Sequence, residues 1–502
     1  MANAHPPMTD FRTLRMLAPK AGEKQPATLA GRERRTKIVA TLGPASESPA
    51  MIESLIHAGM NVARINASHG TRETHTRMIA NVRAVAAKLS AYVPVLLDLT
   101  GPKMRIGGIA AGSAMLRAGD SFVLTTRVVP GDWREVSINY PPLVTDINTG
   151  DRILMGDGEI ELRVRSKTTS DVQCEVVVGG ELKPNKGVNA PGVKLREVVP
   201  TEKDLINVDF GIAQGVDYFA LSFVRSVEEV RRLRWVLREK GADIAIIAKI
   251  EKREALDNLE PILDASDAVM IARGDLGLEL PIQQVPLIQK ELIRMSLVAS
   301  KPVITATQML ESMIQNPRPT RAEAADIANA VFDGTDAVML SGETASGKYP
   351  IEAVRTMAEV AEASEARIDY AARFSDLAVE IGKSIPEAVA HAACYTAIEI
   401  GARVILCCTR SGQTALYVSN FRAPTKIAVI SPHEPTLKRA MLYWNTTSVK
   451  IDPRPDTDAM IQAAKDAVVA AGVAQRGDRV VVVAGVPVDV PGTTNMIKAD
   501  VL

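Results

Sequence analysis

The sequence predicts an α/β chain: a closed (β/α)8 barrel, a small all-β domain inserted into it, and a C-terminal open α/β domain. Three observations carry that prediction. Eight short apolar runs rich in Val, Ile and Ala alternate with helical patterns, as buried parallel strands and their crossover helices do. From about 103 to 198 the chain turns to Gly, Val, Thr and short alternations, the pattern of antiparallel strands. After Tyr349-Pro350, a helical stretch to about Ile381 leads into four more apolar runs separated by helices, which reads as a second α/β unit. The expected division is an N-terminal extension at 1–34, loosely ordered; the barrel at 35–102 and 199–364; an inserted β-barrel lid at 103–198; and the C-terminal domain at 365–502.

The eight runs are KIVATLG (37–43), NVARINAS (61–68), VPVLLDL (93–99), YFALSFV (218–224), IAIIAKIE (244–251), AVMIARG (268–274), PVITATQ (302–308) and DAVMLSGE (336–343). Ser48-Pro49 signals a helix start, and Gly59 and Gly241 signal helix stops. The insertion contains SFVLTTRVV, RILMGDGEIELRVRS and DVQCEVVVGGEL, with turns at Gly156-Asp157-Gly158 and Gly179-Gly180. An insertion at the catalytic face of a barrel is positioned to act as a lid. The last region offers RVILCCT (403–409), KIAVIS (426–431), TSVKI (447–451) and RVVVVAG (479–485). Its loop Thr409-Arg410-Ser411-Gly412-Gln413-Thr414 opens a helix with hydroxyls and backbone amides. That suits an anion, although a plain strand-to-helix turn would look the same.

Bulk composition excludes several classes. Acidic and basic residues balance at 59 each, so no net field points to nucleic acid or an anionic membrane. No apolar run reaches the ~18 residues of a membrane span. Cys174, Cys394, Cys407 and Cys408 lack metal-site spacing and fit a reducing cytoplasm.

The strand ends hold the chemistry. They carry Thr41; Arg64, Asn66 and Ser68; Asp98; Ser222 and Arg225; Lys249 and Glu251; Arg273 and Asp275; Thr307 and Gln308; and Ser341 and Glu343. In a (β/α)8 barrel these converge on one mouth. A single polar strand end is more often a cap, but nearly every strand here has one. Carboxylates on two successive strands with a lysine beside them suit a hard divalent cation in contact with an anionic substrate.

The motifs RRTKIVATLGPAS, ARINASHG, KGVNAPG, AKIE, ARGDLG, TATQMLESM, PRPTRAE, DGTDAVMLSGETA and GTTN occur in one order from Arg35 onward. On these the chain resembles the pyruvate kinase family over nearly its whole length. The resemblance implies transfer of phosphate from phosphoenolpyruvate to ADP, giving pyruvate and ATP, the last step of glycolysis. It implies Mg²⁺ or Mn²⁺ on Glu251 and Asp275, and Lys249 and Arg64 on the moving phosphoryl group. The substrate carboxylate would meet Gly274 and Asp275, with Ser222 and Thr307 lining the pocket. Thr307 and Ser341 both stand as candidates for relaying a proton to the enolate. Asn66, His69, Arg105, Asp157 and Lys186 match the nucleotide positions.

The monovalent-cation position matches Asn66, Ser68, Asp98 and the backbone of Leu99. In LLDLTGPKMRIGG, however, Lys103 stands where potassium-dependent relatives carry Glu. A built-in ammonium can replace the charge of a bound K⁺, so K⁺ is expected to be dispensable. The resemblance further implies a homotetramer whose Thr409–Thr414 loop binds a phosphorylated allosteric effector, through Thr409, Arg410, Ser411, Gly412, Gln413 and Thr414. GVPVDVPGTTN lacks the Trp and Arg of the sugar-bisphosphate pattern, which favours a monophosphate. Two rivals are a metal-dependent lyase or aldolase and a non-catalytic metabolite binder. The first leaves Arg64, the lid and the last domain unexplained; the second is opposed by the intact charged set.

Overall fold

The computed structural model describes residues 34–156, 158–380, 384–487 and 492–502. Apart from Arg34, the expected loosely ordered extension lies outside the described residues, as do Asp157 and part of the GVPVDVPGTTN loop.

Eight parallel strands close a barrel: β1 (Lys37–Thr41), β2 (Val62–Asn66), β3 (Val95–Asp98), β4 (Tyr218–Leu221), β5 (Ala245–Ile250), β6 (Ala268–Ala272), β7 (Val303–Ala306) and β8 (Ala337–Leu340). Neighbours in sequence are neighbours in space, and β8 returns to β1 at Lys37 opposite Ala337. The strands read as unbroken apolar runs because both faces are covered. Val39, Val62, Leu96, Ile247, Met270 and Met339 fill the interior. Ile38, Ile65, Leu97, Phe219, Ile246 and Val338 face the helices.

The strands are shorter than the apolar runs suggest, and at the functional end the shortening places the polar residues in turns or at a helix start. β4 stops before Ser222, and Phe223 turns to φ 57°. β6 stops at Ala272, where helix Arg273–Glu279 begins. β7 stops at Ala306, and Thr307 and Gln308 take φ 72° and 56°. Positive φ at three non-glycine residues marks backbone held in place by its surroundings. Local signals behave as expected elsewhere. Ser48 accepts the Met51 N–H at 3.3 Å to cap helix Pro49–Ala58, and Gly59 ends it at φ 129°. The crossover after β5 is two helices, Arg253–Asp257 and Leu259–Ala265, not one. Asn258 breaks it and ties the break to the Arg225 and Glu254 carbonyls.

The insertion is a seven-stranded sheet in the order Met104–Arg105, Gly187–Asn189, Arg152–Met155, Ile160–Lys167, Asp171–Val178, Ser121–Thr125, Glu135–Ser137. A single bridge, Ile106 to Ile138, joins its two edge segments. The Gly107 N–H to the Ser137 carbonyl and the Asn139 N–H to the Arg105 carbonyl flank that bridge, so the sheet curls back onto itself. Ala114–Leu116 and Gly180–Leu182 form a separate ribbon.

The C-terminal sheet runs Thr446–Lys450, Lys426–Ser431, Val404–Cys408, Arg479–Gly485, Thr494–Val501, the last strand antiparallel. Cys407 and Cys408 pack into cores on opposite faces of this sheet. Burial pushes the Cys408 thiol up to about 12, so it is core filler, as are the other three buried cysteines. This sheet meets the floor of the barrel through a sealed ion pair, Arg422 with Asp336 at 2.9 Å. Asp336 also accepts the Val303 and Trp444 N–H groups, while Arg422 donates to the Ser419 and Gly334 carbonyls and stacks over Trp444. Beside them, Lys37 Nζ donates to the Thr446 carbonyl at 2.6 Å.

Candidate active site

At the opposite end, the strand termini enclose a cavity of about 100 Å³. Arg64, Asp98, Lys249, Glu251, Asp275 and Thr307 all line it. They come from β2, β3, β5, the helix after β6 and the turn after β7, so the barrel itself brings them together.

Asp98 organises the cations. Its Oδ2 accepts Arg64 Nε at 2.8 Å, and its Oδ1 lies 3.3 Å from Lys249 Nζ and 3.2 Å from Ser222 Oγ. Thr41 Oγ1 accepts the Arg64 Nη1 hydrogen bond at 2.7 Å. Burial alone would raise the Asp98 carboxyl, but the Lys249 and Arg64 charges outweigh it and hold it below the usual range. Burial would likewise strip Lys249 of its proton. Asp98 and Glu251 reverse that and push its affinity above the ordinary lysine value, so Lys249 is a fixed cation, not a base at neutral pH. Its Nζ donates to Ser222 Oγ at 2.8 Å and lies 2.7 Å from Glu251 Oε1.

Glu251 is fully buried. Its Oε2 accepts the Phe223 N–H at 2.8 Å, and its Oε1 is held by the Lys249 ion pair. Burial raises its carboxyl, Lys249 pulls it back down, and Asp275 pushes it up again. A buried carboxylate paired with Lys249 and lining one cavity with a second carboxylate, Asp275, fits a hard divalent cation. No cluster of three His, Cys, Asp or Glu residues is present among the described residues, so the other ligand positions would fall to substrate and water.

Thr307 Oγ1 donates to the Ala306 carbonyl and accepts the Gly274 N–H at 2.8 Å. Arg273 fixes this turn by donating to the Thr307 and Ala306 carbonyls and pairing with Asp326 at 2.7 Å. The Gly274 amide expected to meet a substrate carboxylate is thus engaged by Thr307 here. Asn66, Ser68, Leu99 and Lys103 line the same cavity. Ser341 does not; β8 contributes Met339 instead. Glu343 is a support, accepting the Ser341 and Leu310 N–H groups.

Of the nucleotide candidates, Asn66 lines the cavity, whereas His69, Arg105 and Lys186 do not. Arg105 ends the edge strand of the inserted sheet and Lys186 precedes the strand beside it; they bond to the Asn185 carbonyl and to Glu159 respectively. His69 is held below the ordinary histidine value, by burial first and then by Arg105, Lys103 and Arg64. Thr41 and Arg273 stand in the strand-end pattern without a role, and Phe223, which lies in none of the motifs, was missed; each acts through a neighbour.

In the C-terminal domain, Thr409, Arg410, Ser411, Gln413 and Thr414 line a second cavity, of about 150 Å³. Gly412 is not among its walls; at φ 91° it caps helix Gln413–Asn420. His433, Asp452 and Arg454 also line this cavity. They come from the ends of the two adjacent strands, and sequence reading missed them.

Comparison with known proteins follows this geometry. Residues 33–354 match the family description "Pyruvate kinase, barrel domain", and residues 387–499 match "Pyruvate kinase, alpha/beta domain". The chain belongs to the pyruvate kinase family. It is 44% identical to the pyruvate kinases of Staphylococcus epidermidis and of Staphylococcus aureus, over 93% of this chain and 80% of each relative. The crystal structure of a pyruvate kinase from Cryptosporidium parvum superposes with a TM-score of 0.88 at 33% identity, covering 93% of this chain and 96% of that one. The chain is accordingly a phosphotransferase enzyme with phosphoenolpyruvate and ADP as substrates and pyruvate and ATP as products. Pyruvate kinases work with a divalent metal. Among the described residues no helix is long and apolar enough to cross a membrane.

Proposed function

We propose that the barrel mouth performs this transfer with Mg²⁺ or Mn²⁺ on Glu251 and Asp275, and without K⁺. The observation that carries the reading is the convergence of Arg64, Lys249, Glu251, Asp275 and Thr307 on one cavity. The metal, when bound, neutralises phosphoryl oxygens and polarises the substrate. Lys249, a permanent cation, stabilises charge on the phosphoryl group and the enolate oxygen. Arg64, oriented by Asp98 and Thr41, offers its fork to the same phosphoryl group. Ser222 fixes the Lys249 ammonium, and Thr307 holds the start of the helix that bears Asp275. Thr307 borders the cavity and is the better placed of the two proton-relay candidates. His69, Arg105, Asp157 and Lys186, with Asn66, serve the nucleotide.

Two features support K⁺ independence. Lys103 lines the same cavity as Asn66, Ser68 and Leu99, and both Asp98 oxygens are engaged by protein cations. A coupled assay of pyruvate formation in K⁺-free buffer tests this. Full activity with Mg²⁺ alone is expected, and Lys103→Glu should acquire a K⁺ requirement. A large gain for the unmodified enzyme on adding K⁺ contradicts the reading. The C-terminal cavity serves a phosphorylated effector, the enzyme assembles as a homotetramer, and it works in the cytoplasm, where buried free thiols are stable.

A further inference from the structure

Helix Arg273–Glu279 has two ends with different neighbours. Its first residues reach the catalytic cavity through Asp275. Its last residues touch the inserted domain at two places. Glu279 Oε2 accepts the Gly192 N–H at 3.3 Å, on the segment returning from that domain. The Glu279 Oε1 atom pairs with Lys252, the residue after Glu251, and the two side chains are only 2% and 8% exposed. One residue earlier, Leu278 Cδ2 sits 3.2 Å from where a Cβ on Gly158 would stand. Gly158, at φ 87°, is the residue type that lets the inserted domain approach this closely.

A buried ion pair with a further hydrogen bond fixes register more surely than it adds stability. This one is sealed without reaching the catalytic cavity and joins three segments: the helix of Asp275, the strand end after Glu251, and the lid. Arg225 anchors the rest of the returning segment, donating to the Leu195 and Glu197 carbonyls at 2.6 and 2.7 Å. The segment returning from the lid is thus held at Arg225 and at the end of the Asp275 helix.

We infer that Glu279 and Leu278 are positioning residues that seat the lid on the helix presenting Asp275, so that lid closure and the catalytic end of that helix are coupled. This rests on the reading of Lys249, Glu251 and Asp275 as the catalytic site. Nucleotide candidates Arg105 and Lys186 lie on the lid, so loosening the seat weakens ADP more than phosphoenolpyruvate.

The test uses the full-length enzyme and two variants. Lys252→Met/Glu279→Gln neutralises both partners without stranding a buried charge, and Leu278→Ala removes only the half-buried contact. Amide hydrogen exchange over 152–160 and 186–195 is measured without substrate, followed by steady-state kinetics for both substrates. Each variant that folds is expected to exchange about tenfold faster in both segments, the scale of one lost charge-assisted hydrogen bond or one packed contact. The KM for ADP should rise about tenfold with the phosphoenolpyruvate KM within about twofold. Unchanged lid exchange in a folded variant, or equal rises in both KM values, overturns the coupling. Because the exchange arm needs no catalysis, it remains decisive even if Asp275→Asn retains full activity, a result that would instead overturn the site reading.

Discussion

The two ends of the barrel use the same ingredients to opposite effect. At the floor, Asp336 and Arg422 are fully sealed, and both Asp336 oxygens are satisfied by protein donors. At the mouth, Lys249, Arg64, Asp98 and Glu251 are almost as deeply buried, yet the group faces an open cavity that Asp275 and Thr307 also line. Positive φ at non-glycine residues occurs at both ends, at Phe223 and Thr307 at the mouth and at Arg422 at the floor, so backbone strain does not separate them. The floor closes its charges on each other and joins two domains. The mouth leaves capacity for a ligand. Burial of charge alone does not identify a site; a cavity beside it, lined by further charged groups, does.

That contrast fixes the ranking of mutational effects. Arg422→Met leaves Asp336 buried and unpaired, and should cost about 3–5 kcal/mol of stability, read by chemical denaturation, with kcat of the folded enzyme near the parent value. Lys249→Met should do the reverse: kcat falls by about 10²–10³-fold, while the denaturation midpoint moves far less. If Arg422→Met instead abolished turnover in a fully folded enzyme, the floor would be part of the catalytic machinery and the division would fail.

A smaller effect tests the floor by pH. Burial first, then Arg34 and Lys426, lowers the Lys37 ammonium to about 7 from 10.5. Between those values the unfolded chain binds the proton and the folded chain does not, so stability rises with pH across this window. Below about pH 7 both states are protonated and the burial penalty is felt in full. Lys37→Met should therefore lose the part of the rise that Lys37 supplies, measured as the melting temperature at successive pH values. An identical pH profile in the variant would show that Lys37 does not titrate there. Smallest of all, Arg165→Ala on the lid breaks an exposed pair with Glu175 and should move stability by no more than about 0.5 kcal/mol.

The sequence made the barrel legible because each strand is apolar throughout and each ends in charge; β5 and β6 show both signals within a few residues. The same signal overran the strands at Phe223, Arg273 and Thr307, where the polar ends leave the ladder to form the site. Thr494–Val501 was missed because it is an edge strand with a largely exposed, polar face, which carries no apolar run. Short lid strands such as Met104–Arg105 and Glu135–Ser137 are set by long-range pairing and have no local pattern. In the site, ligand types at strand ends could be read directly. Supporting contacts could not: Thr41 with Arg64, Phe223 with Glu251 and Glu279 with Lys252 are distant in sequence or invisible to periodicity.

The central claim is that Glu251 and Asp275 share one metal beside Lys249 and Arg64. A crystal structure of the enzyme with Mn²⁺ and a non-reactive phosphoenolpyruvate analogue, read through the anomalous signal of manganese, tests it most directly. The account predicts one peak within ligand distance of both carboxylates, about 2.0–2.2 Å from an oxygen of each, with the phosphoryl end of the analogue against Arg64 and Lys249. A manganese peak that touches neither Glu251 nor Asp275 would contradict it.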